Sequence, residues 1–525
     1  MVGLHTCHSK QQSPMPEYSY LKLPHHNIKG LKNNTLKFLG INYGCSVEHT
    51  KRWQPSKLKP FTQEHATSFG AIAMQSQENN SLLIAKEDQF QQSEDCLSLN
   101  IYIPNELNHE NEKLPVMVWI HGGGFQIGSG SMALYNGEHL AESANVIVVS
   151  INYRLGALGF LRLCDISDGA IPSTGNEGLT DQITALKWVQ QNISHFGGDK
   201  NNVTVFGESA GAMSIACLLA SPYTKGLIHK AILESGAAHT YSSIDKANEV
   251  AKEFINSATE LGFAVTDLSN ASIDDLLRIQ QHFLGRAEIY QKFGILPFTP
   301  VIDGDLLPLE PHVAIEQGSA KNISILSGSN TDEWTLFAAM LNQNTQSNDA
   351  LNKALSYLMD SDLVKPCLSL IDKQLAQRHQ HKSPQTRLNE AFTEYWFTQP
   401  CHRLLNNHAL AGGTAFRYKL GRKTVIKKLG CTHVTDIGFV FGNVIENFHG
   451  NSPRVIELSN QMQSCWANFA HYSTPATNTV DWPKYHPDSE YQFLYFDHEH
   501  NWTAQADKES LDFWQQISDQ QLASF

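Results

Sequence analysis

Gly207-Glu208-Ser209-Ala210-Gly211 sets a serine between two glycines, where the β-branched run Val203-Thr-Val-Phe206 gives way to the small-residue stretch Ala210 to Ala220. A serine pushed out of a sharp strand-to-helix turn needs little bulk on either side. The two glycines meet that need by letting strand and helix pack closely. Such a serine is a nucleophile for acyl transfer. A G-x-S-x-G match arises easily by chance in a chain with 35 glycines, so the strand before it and the helix after it carry the assignment of Ser209.

A serine hydroxyl is a weak nucleophile at neutral pH and requires a base to take its proton and a group to orient that base. In elbows of this kind the partners follow in the order serine, acid, histidine. The acid candidate is Glu333, in Ser327-Gly-Ser-Asn-Thr-Asp-Glu-Trp334, directly after a predicted strand over Ile323 to Leu326. Strand ends are where functional groups collect in open α/β sheets, and on spacing alone neighbouring Asp332 is a rival. The base candidate is His433, in Gly430-Cys-Thr-His-Val-Thr-Asp436, one of 24 histidines but set apart by chain order and by its loop ahead of Phe439-Val-Phe441. The tetrahedral intermediate also needs donors for its negative oxygen. His121-Gly-Gly-Gly-Phe125 follows a strand-like run and offers unobstructed backbone N–H groups, and the Ala210 N–H is a further donor.

Strands and helices must alternate for these residues to meet, and the pattern predicts that they do. Pro115 to Ile120 and Val146 to Ile151 read as buried parallel strands, Val203 to Phe206 and Ala231 to Leu233 as two more. Asp181 to Phe196 reads as a helix, with Leu186, Val189, Ile193 and Phe196 on one face, Thr180 as its cap and Gly197-Gly198 as its stop. Two helix-rich, amphipathic insertions, near 242–293 and 349–411, read as a cap over the site. Residues 1–29 are expected to form an N-terminal extension and 30–515 one domain, since no linker, repeat or low-complexity tract divides them.

The composition of the 525 residues, 41% hydrophobic and 17% charged, is that of a globular protein with a large core. The net charge is −13, without the basic and aromatic interleaving that tracks a phosphate backbone, so nucleic acid is not expected as a partner. No stretch is apolar enough for a membrane span, and Met1 to Lys32 lacks the core of a secretory signal. Nine cysteines, an odd number without a C-x-x-C pair, fit reduced thiols in a cytoplasmic protein. Asp497-His-Glu-His500 reads as a solvated turn and not as a metal cluster.

Further blocks join the elbow in order: Phe38-Leu-Gly-Ile-Asn-Tyr43, Glu94-Asp-Cys-Leu-Ser-Leu-Asn100, Asn152-Tyr-Arg-Leu-Gly156, Asn176-Glu-Gly-Leu-Thr-Asp-Gln182, Phe196-Gly-Gly-Asp199, Phe298-Thr-Pro-Val-Ile-Asp-Gly304 and Trp466-Ala-Asn-Phe469. Together with His121 to Phe125, Thr331 to Glu333 and His433 to Phe441, they make the chain resemble the type-B carboxylesterases. These are the cholinesterase-like branch of the α/β-hydrolase superfamily, and the likeness runs from about Gly30 to Phe496.

The resemblance implies an α/β-hydrolase fold, with a large, mostly parallel sheet flanked by helices, and hydrolysis of a small-molecule ester through an acyl-enzyme, without metal or cofactor. It implies Ser209 as nucleophile, His433 as base and Glu333, over Asp332, as orienting acid. It further implies Gly123, Gly124 and Ala210 as the oxyanion hole and Ser235 as a support behind them. A lipase for longer-chain esters and a non-catalytic adhesion protein are the alternatives. Retention of serine, glutamate, histidine and the glycine triplet argues against adhesion. Where secreted relatives pair the cysteine matching Cys96, the partner position here is Ala73, which implies a free thiol. Where cholinesterases place a cation-binding tryptophan, Lys86 stands. The resemblance is therefore strongest to bacterial esterases of the para-nitrobenzyl-esterase type. The oligomeric state stays open between monomer and dimer.

Overall fold

The computed structural model describes residues 17–76, 90–105, 113–497 and 499–523. Among the described residues, twelve strands form one sheet: β1 (Glu17–Lys22), β2 (Asn27–Lys32), β3 (Thr35–Asn42), β4 (Ser98–Pro104), β5 (Leu114–Ile120), β6 (Ile147–Ile151), β7 (Gly198–Glu208), β8 (Lys230–Glu234), β9 (Ser324–Asn330), β10 (Ala415–Leu420), β11 (Gln492–Phe496) and β12 (Asn501–Gln505). Their order across the sheet is β1-β2-β3-β4-β6-β5-β7-β8-β9-β10-β11-β12. The run from β6 to β11 is parallel, and antiparallel strands close both edges.

Composition explains that division. Every residue of Leu114–Ile120 and of Ile147–Ile151 is buried, because a parallel strand has helices on both faces and can be apolar throughout. Edge strand β1 instead exposes Tyr18 and Tyr20. The apolar side chains form two cores, one on each face. One holds Val118, Val205, Leu233 and Ile325 beneath the helix Ala210–Ala220; the other holds Trp119, Phe206, Ile232 and Leu326 beneath the helices Thr435–Phe441 and Pro453–Tyr472. Full burial of each such side chain contributes about 1.5–3 kcal/mol.

The observed elements are longer than the sequence pattern predicts. The helix expected from Asp181 begins at Glu177 and runs to Asn192, with a 3₁₀ turn over Ile193–Phe196. Thr180 is not its cap: its hydroxyl donates to the Glu177 carbonyl at 2.7 Å. The Glu177 carboxylate organises the start instead, accepting from the Thr174 and Gly175 N–H groups at 2.7 and 3.1 Å. Gly197, at φ 85°, ends the turn as expected. The strand predicted over Val203 to Phe206 extends from Gly198 to Glu208, so the residue before the serine belongs to the sheet.

Residues 242–293 carry the helices Ile244–Glu260, Ile273–Leu284 and Ala287–Phe293. Residues 349–411 contain Ser361–Gln377, Pro384–Thr393 and Gln399–Leu410, with a π-helical turn over Glu394–Thr398. Of the stretch read as an N-terminal extension, the described residues from Glu17 include β1, which pairs with β2. Strand order reverses between β5 and β7, whose connections leave toward opposite sides, and the carboxyl ends of strands at such a switch point are where sites collect in open α/β sheets.

Candidate active site

The glycine loop follows β5 and Ser209 follows β7, so both stand at that switch point. Ser209 has φ 53° and ψ −124°, a conformation an L-residue adopts only under strain. Two backbone hydrogen bonds hold it there: its N–H donates to the Glu234 carbonyl and its carbonyl accepts from the Met213 N–H, each at 2.9 Å. The flanking glycines are required by contact distance. A β-carbon on Gly207 or Gly211 would lie 2.5 or 2.0 Å from the Ile120 carbonyl oxygen. Ala210 is wholly buried and opens the helix Ala210–Ala220, so its N–H belongs to the unpaired, positive end of that helix.

The glycine loop lies against the serine. A β-carbon on Gly122 would come within 3.1 Å of the Ser209 Cβ and 2.9 Å of Glu208 Oε2. Gly123 and Gly124 take φ of 109° and 61°, and the Gly123 carbonyl closes the turn by accepting from Gln126 and Ile127. His121 anchors the loop: its ring stacks on Tyr153 at 4.4 Å, and its carbonyl accepts from the Tyr153 hydroxyl at 2.7 Å. Leu296 roofs Gly124, 3.0 Å from where a β-carbon would stand.

Glu333 ends the turn after β9 and is fully buried. Its Oε1 accepts from the Ser235 hydroxyl and the Asn330 N–H, both at 2.6 Å, and its Oε2 meets His433 Nδ1 at 2.6 Å. Asp332 turns the other way and accepts from the Cys431 N–H at 2.9 Å, tying the histidine loop to the sheet. The structure thus brings Ser235, Glu333 and His433 into one chain of hydrogen bonds and leaves Asp332 outside it. Ser235, like Ser209, holds a positive φ, 50°.

His433 is 3% exposed and packs against the stacked pair Phe337 and Phe397, each ring 5.0 Å away and the two 5.8 Å from one another. Phe397 belongs to the π-helical turn, a distortion common where a helix serves a site. Val434 takes φ 68°, unusual for a β-branched residue, and the chain turns there into the helix Thr435–Phe441. The other ring nitrogen, Nε2, lies 3.0 Å from Glu208 Oε1, off the line of a good hydrogen bond. Burial opposes a charge on His433, but Glu208 and then Glu333 outweigh it and raise its pKa above the ordinary value. Burial likewise raises the Glu208 pKa, against the pull of His433.

Glu208, Phe337, Phe397 and Asp436 were not singled out in the sequence. Glu208 was in plain view as the second residue of the elbow, and an acid closing an otherwise apolar strand is the signal that marks it. The two phenylalanines carry no such signal, since aromatic residues in a helical insertion read as core.

Cys96 and Ala73 line one small buried cavity, and the eight described cysteines are all free. Lys86 and His498 lie outside the described residues. Among the described residues, no group of three or more His, Cys, Asp or Glu is arranged to hold a metal ion, and no helix is long and apolar enough to cross a membrane.

Residues 24–514 match the family model described as the carboxylesterase family. The chain is 37% identical over 475 residues to a para-nitrobenzyl esterase of Bacillus subtilis, covering 88% of this chain and 91% of that one. It is 31% identical over 437 residues to an acetylcholinesterase of Leptinotarsa decemlineata, covering 77% and 69%. Among solved structures, a thermophilic PNB esterase superposes with a TM-score of 0.79 at 32% identity, over 96% of this chain and all of that one.

Proposed function

The chain belongs to the carboxylesterase family and is an ester hydrolase of α/β-hydrolase fold; on that premise we propose that Ser209 is its nucleophile, His433 the base and Glu333 the acid that orients the base. The observation that carries this is the unbroken line from Ser235 through Glu333 to His433 Nδ1, with both links at 2.6 Å. Glu333 holds the imidazole so that Nδ1 keeps its proton, and Nε2, beside Glu208 of the elbow, is the nitrogen that takes the serine proton.

Attack proceeds in two steps. His433 Nε2 takes the Ser209 proton as the hydroxyl adds to the ester carbonyl, and the developing imidazolium is stabilised by buried Glu333. The carbonyl oxygen becomes an oxyanion in reach of the Gly123, Gly124 and Ala210 N–H groups, which are fixed before reaction and need no reorganisation. The imidazolium then protonates the departing alcohol. Water activated by the same nitrogen hydrolyses the acyl-enzyme.

The substrate is a small-molecule ester, a reading supported by the walls that Leu296, Phe337 and Phe397 place around the reacting groups. Free cysteines support a reducing, cytoplasmic setting. The test is hydrolysis of a chain-length series of p-nitrophenyl esters by the purified protein. Ser209→Ala should lower turnover on the order of 10⁵-fold. An unchanged rate would remove Ser209 from the mechanism. Activity that rises only above the solubility limit of the ester would move the assignment to a lipase.

A further inference from the structure

Four strands present one row of residues to the face covered by the helices Thr435–Phe441 and Pro453–Tyr472. Glu208 of β7 pairs with Glu234 of β8, Glu234 with Gly328 of β9, and Gly328 with Tyr418 of β10. Parallel neighbours in register point to the same side of a sheet, so two carboxyl groups and a phenol share one surface. Gly328 contributes no side chain, and its space is taken by the Tyr418 ring: a β-carbon there would lie 2.2 Å from that ring. The Tyr418 hydroxyl donates to Asp436 Oδ2 at 2.6 Å, and Asn330 Nδ2 donates to Asp436 Oδ1 at 3.3 Å. Three carboxyl groups, Glu208, Glu234 and Asp436, therefore stand together behind His433, none more than 1% exposed.

Glu234 is the least supported of them. Its Oε1 accepts from Trp466 Nε1 at 2.7 Å, while its Oε2, wholly buried, has no hydrogen-bond partner in the protein. The donors to Glu234 and Asp436 are an indole, a phenol and an amide, all neutral. The charged partner within salt-bridge distance is His433, at Glu208. A buried carboxylate so poorly compensated is strongly disfavoured, and the neutral acid escapes most of that penalty.

The remaining titratable groups facing this row leave that balance unchanged. Tyr418 is raised by burial and stays a phenol, and burial keeps the Cys431 and Cys465 thiols protonated. His449, beneath the helix Thr435–Phe441, is lowered to about 4 by burial and stays neutral. Glu333 is ion-paired to His433 on the far side.

We propose that Glu234 carries a proton at neutral pH while Asp436 is ionised, a division that limits the negative charge behind His433 and so lets it act as a base near neutral pH. The proposal rests on the reading of His433 as the base. With both acids ionised, a further buried negative charge would strengthen the hold of His433 on its own proton by about one pH unit or more, and the base would stay blocked well above neutrality. Burial, and then the Asp436 and Glu208 carboxylates, push the Glu234 pKa well up, in the same direction. Glu234 is a positioning residue: it acts on substrate only through the charge state of His433.

The test compares kcat/KM against pH for p-nitrophenyl butyrate in the full-length protein, Glu234→Gln and the double variant Glu234→Gln with Asp436→Asn. Glu234→Gln replaces a neutral acid with a neutral amide, so the acid limb should stay within about 0.3 of a pH unit. The double variant removes the charge of the pair, so the acid limb should move down by about one unit. A one-unit fall in Glu234→Gln alone would show that Glu234 is ionised and overturn the proposal. So would an acid limb unmoved in the double variant.

Glu234→Met, a neutral replacement of similar volume, is read the same way should Glu234→Gln fold poorly. Infrared spectroscopy gives a readout independent of turnover. At neutral pH the carbonyl stretch of one protonated carboxyl should be present in the parent protein and missing from Glu234→Gln. An identical spectrum in the two would overturn the protonated Glu234 even in a protein that hydrolyses no ester, whereas failure of the triad reading would show in Ser209→Ala alone.

Discussion

On the proposed assignment, charge on His433 decides when this site can work, because only a neutral imidazole can take the serine proton. Glu208, 3.0 Å from Nε2, favours the protonated form. The sign of its removal follows: Glu208→Gln should lower the His433 pKa and carry the acid limb of kcat/KM to lower pH, measured on any soluble p-nitrophenyl ester. An acid limb that rises would mean that the contact does not stabilise the imidazolium. Ser235 acts one step further back. Ser235→Ala leaves Glu333 Oε1 with one donor where it had two, which should cost about 1–3 kcal/mol in urea unfolding and reduce kcat more than it changes KM. The serine and the glycine loop are readable because each has a local signature. Spacing could not choose Glu333 over Asp332, a choice only the family resemblance made; both sit on one turn, and the direction of each side chain separates them.

Elements, more than single residues, bring Ser209 to its place. β7 and the helix Ala210–Ala220 cross so tightly over Ile120 that Gly211→Ala would put a methyl group 2.0 Å from a carbonyl oxygen. Since backbone and not a flexible side chain opposes it, the expected result is a loss of roughly 3 kcal/mol or more, seen as a fall in Tm or in soluble yield. Helix and strand cores were readable from apolar spacing, but their ends were not. The helix predicted from Asp181 starts at Glu177 because a buried carboxylate collects the N–H groups two and three residues before it, a local polar effect that apolar spacing does not register. The π-helical turn that carries Phe397 to His433 was equally hidden, since one extra residue in a helix does not disturb its apolar pattern enough to show.

Across the whole molecule the parallel centre of the sheet was legible, because its strands are apolar on both faces. Its edges were not: β1 and β12 are short and mostly exposed, and they pair by register alone. The last described helix, Asp519–Leu522, is held by Arg403, which donates to Asp519 Oδ1 and to the Trp514 and Ile517 carbonyls at 2.5, 2.7 and 2.6 Å. Arg403→Ala should therefore make residues 515–523 sensitive to protease at temperatures where the rest of the chain still resists, read as early C-terminal trimming. The backbone of Ser209 bears on the molecule in a different way. Its φ of 53° and ψ of −124° suit glycine better than serine, and the sheet, the helix and Ile120 together hold it there. Ser209→Gly, devoid of its hydroxyl, should thus melt at a higher temperature than the active protein, by about 1 kcal/mol of added stability. If Ser209 is the nucleophile as proposed, selection for turnover keeps at this position a residue that selection for endurance would replace.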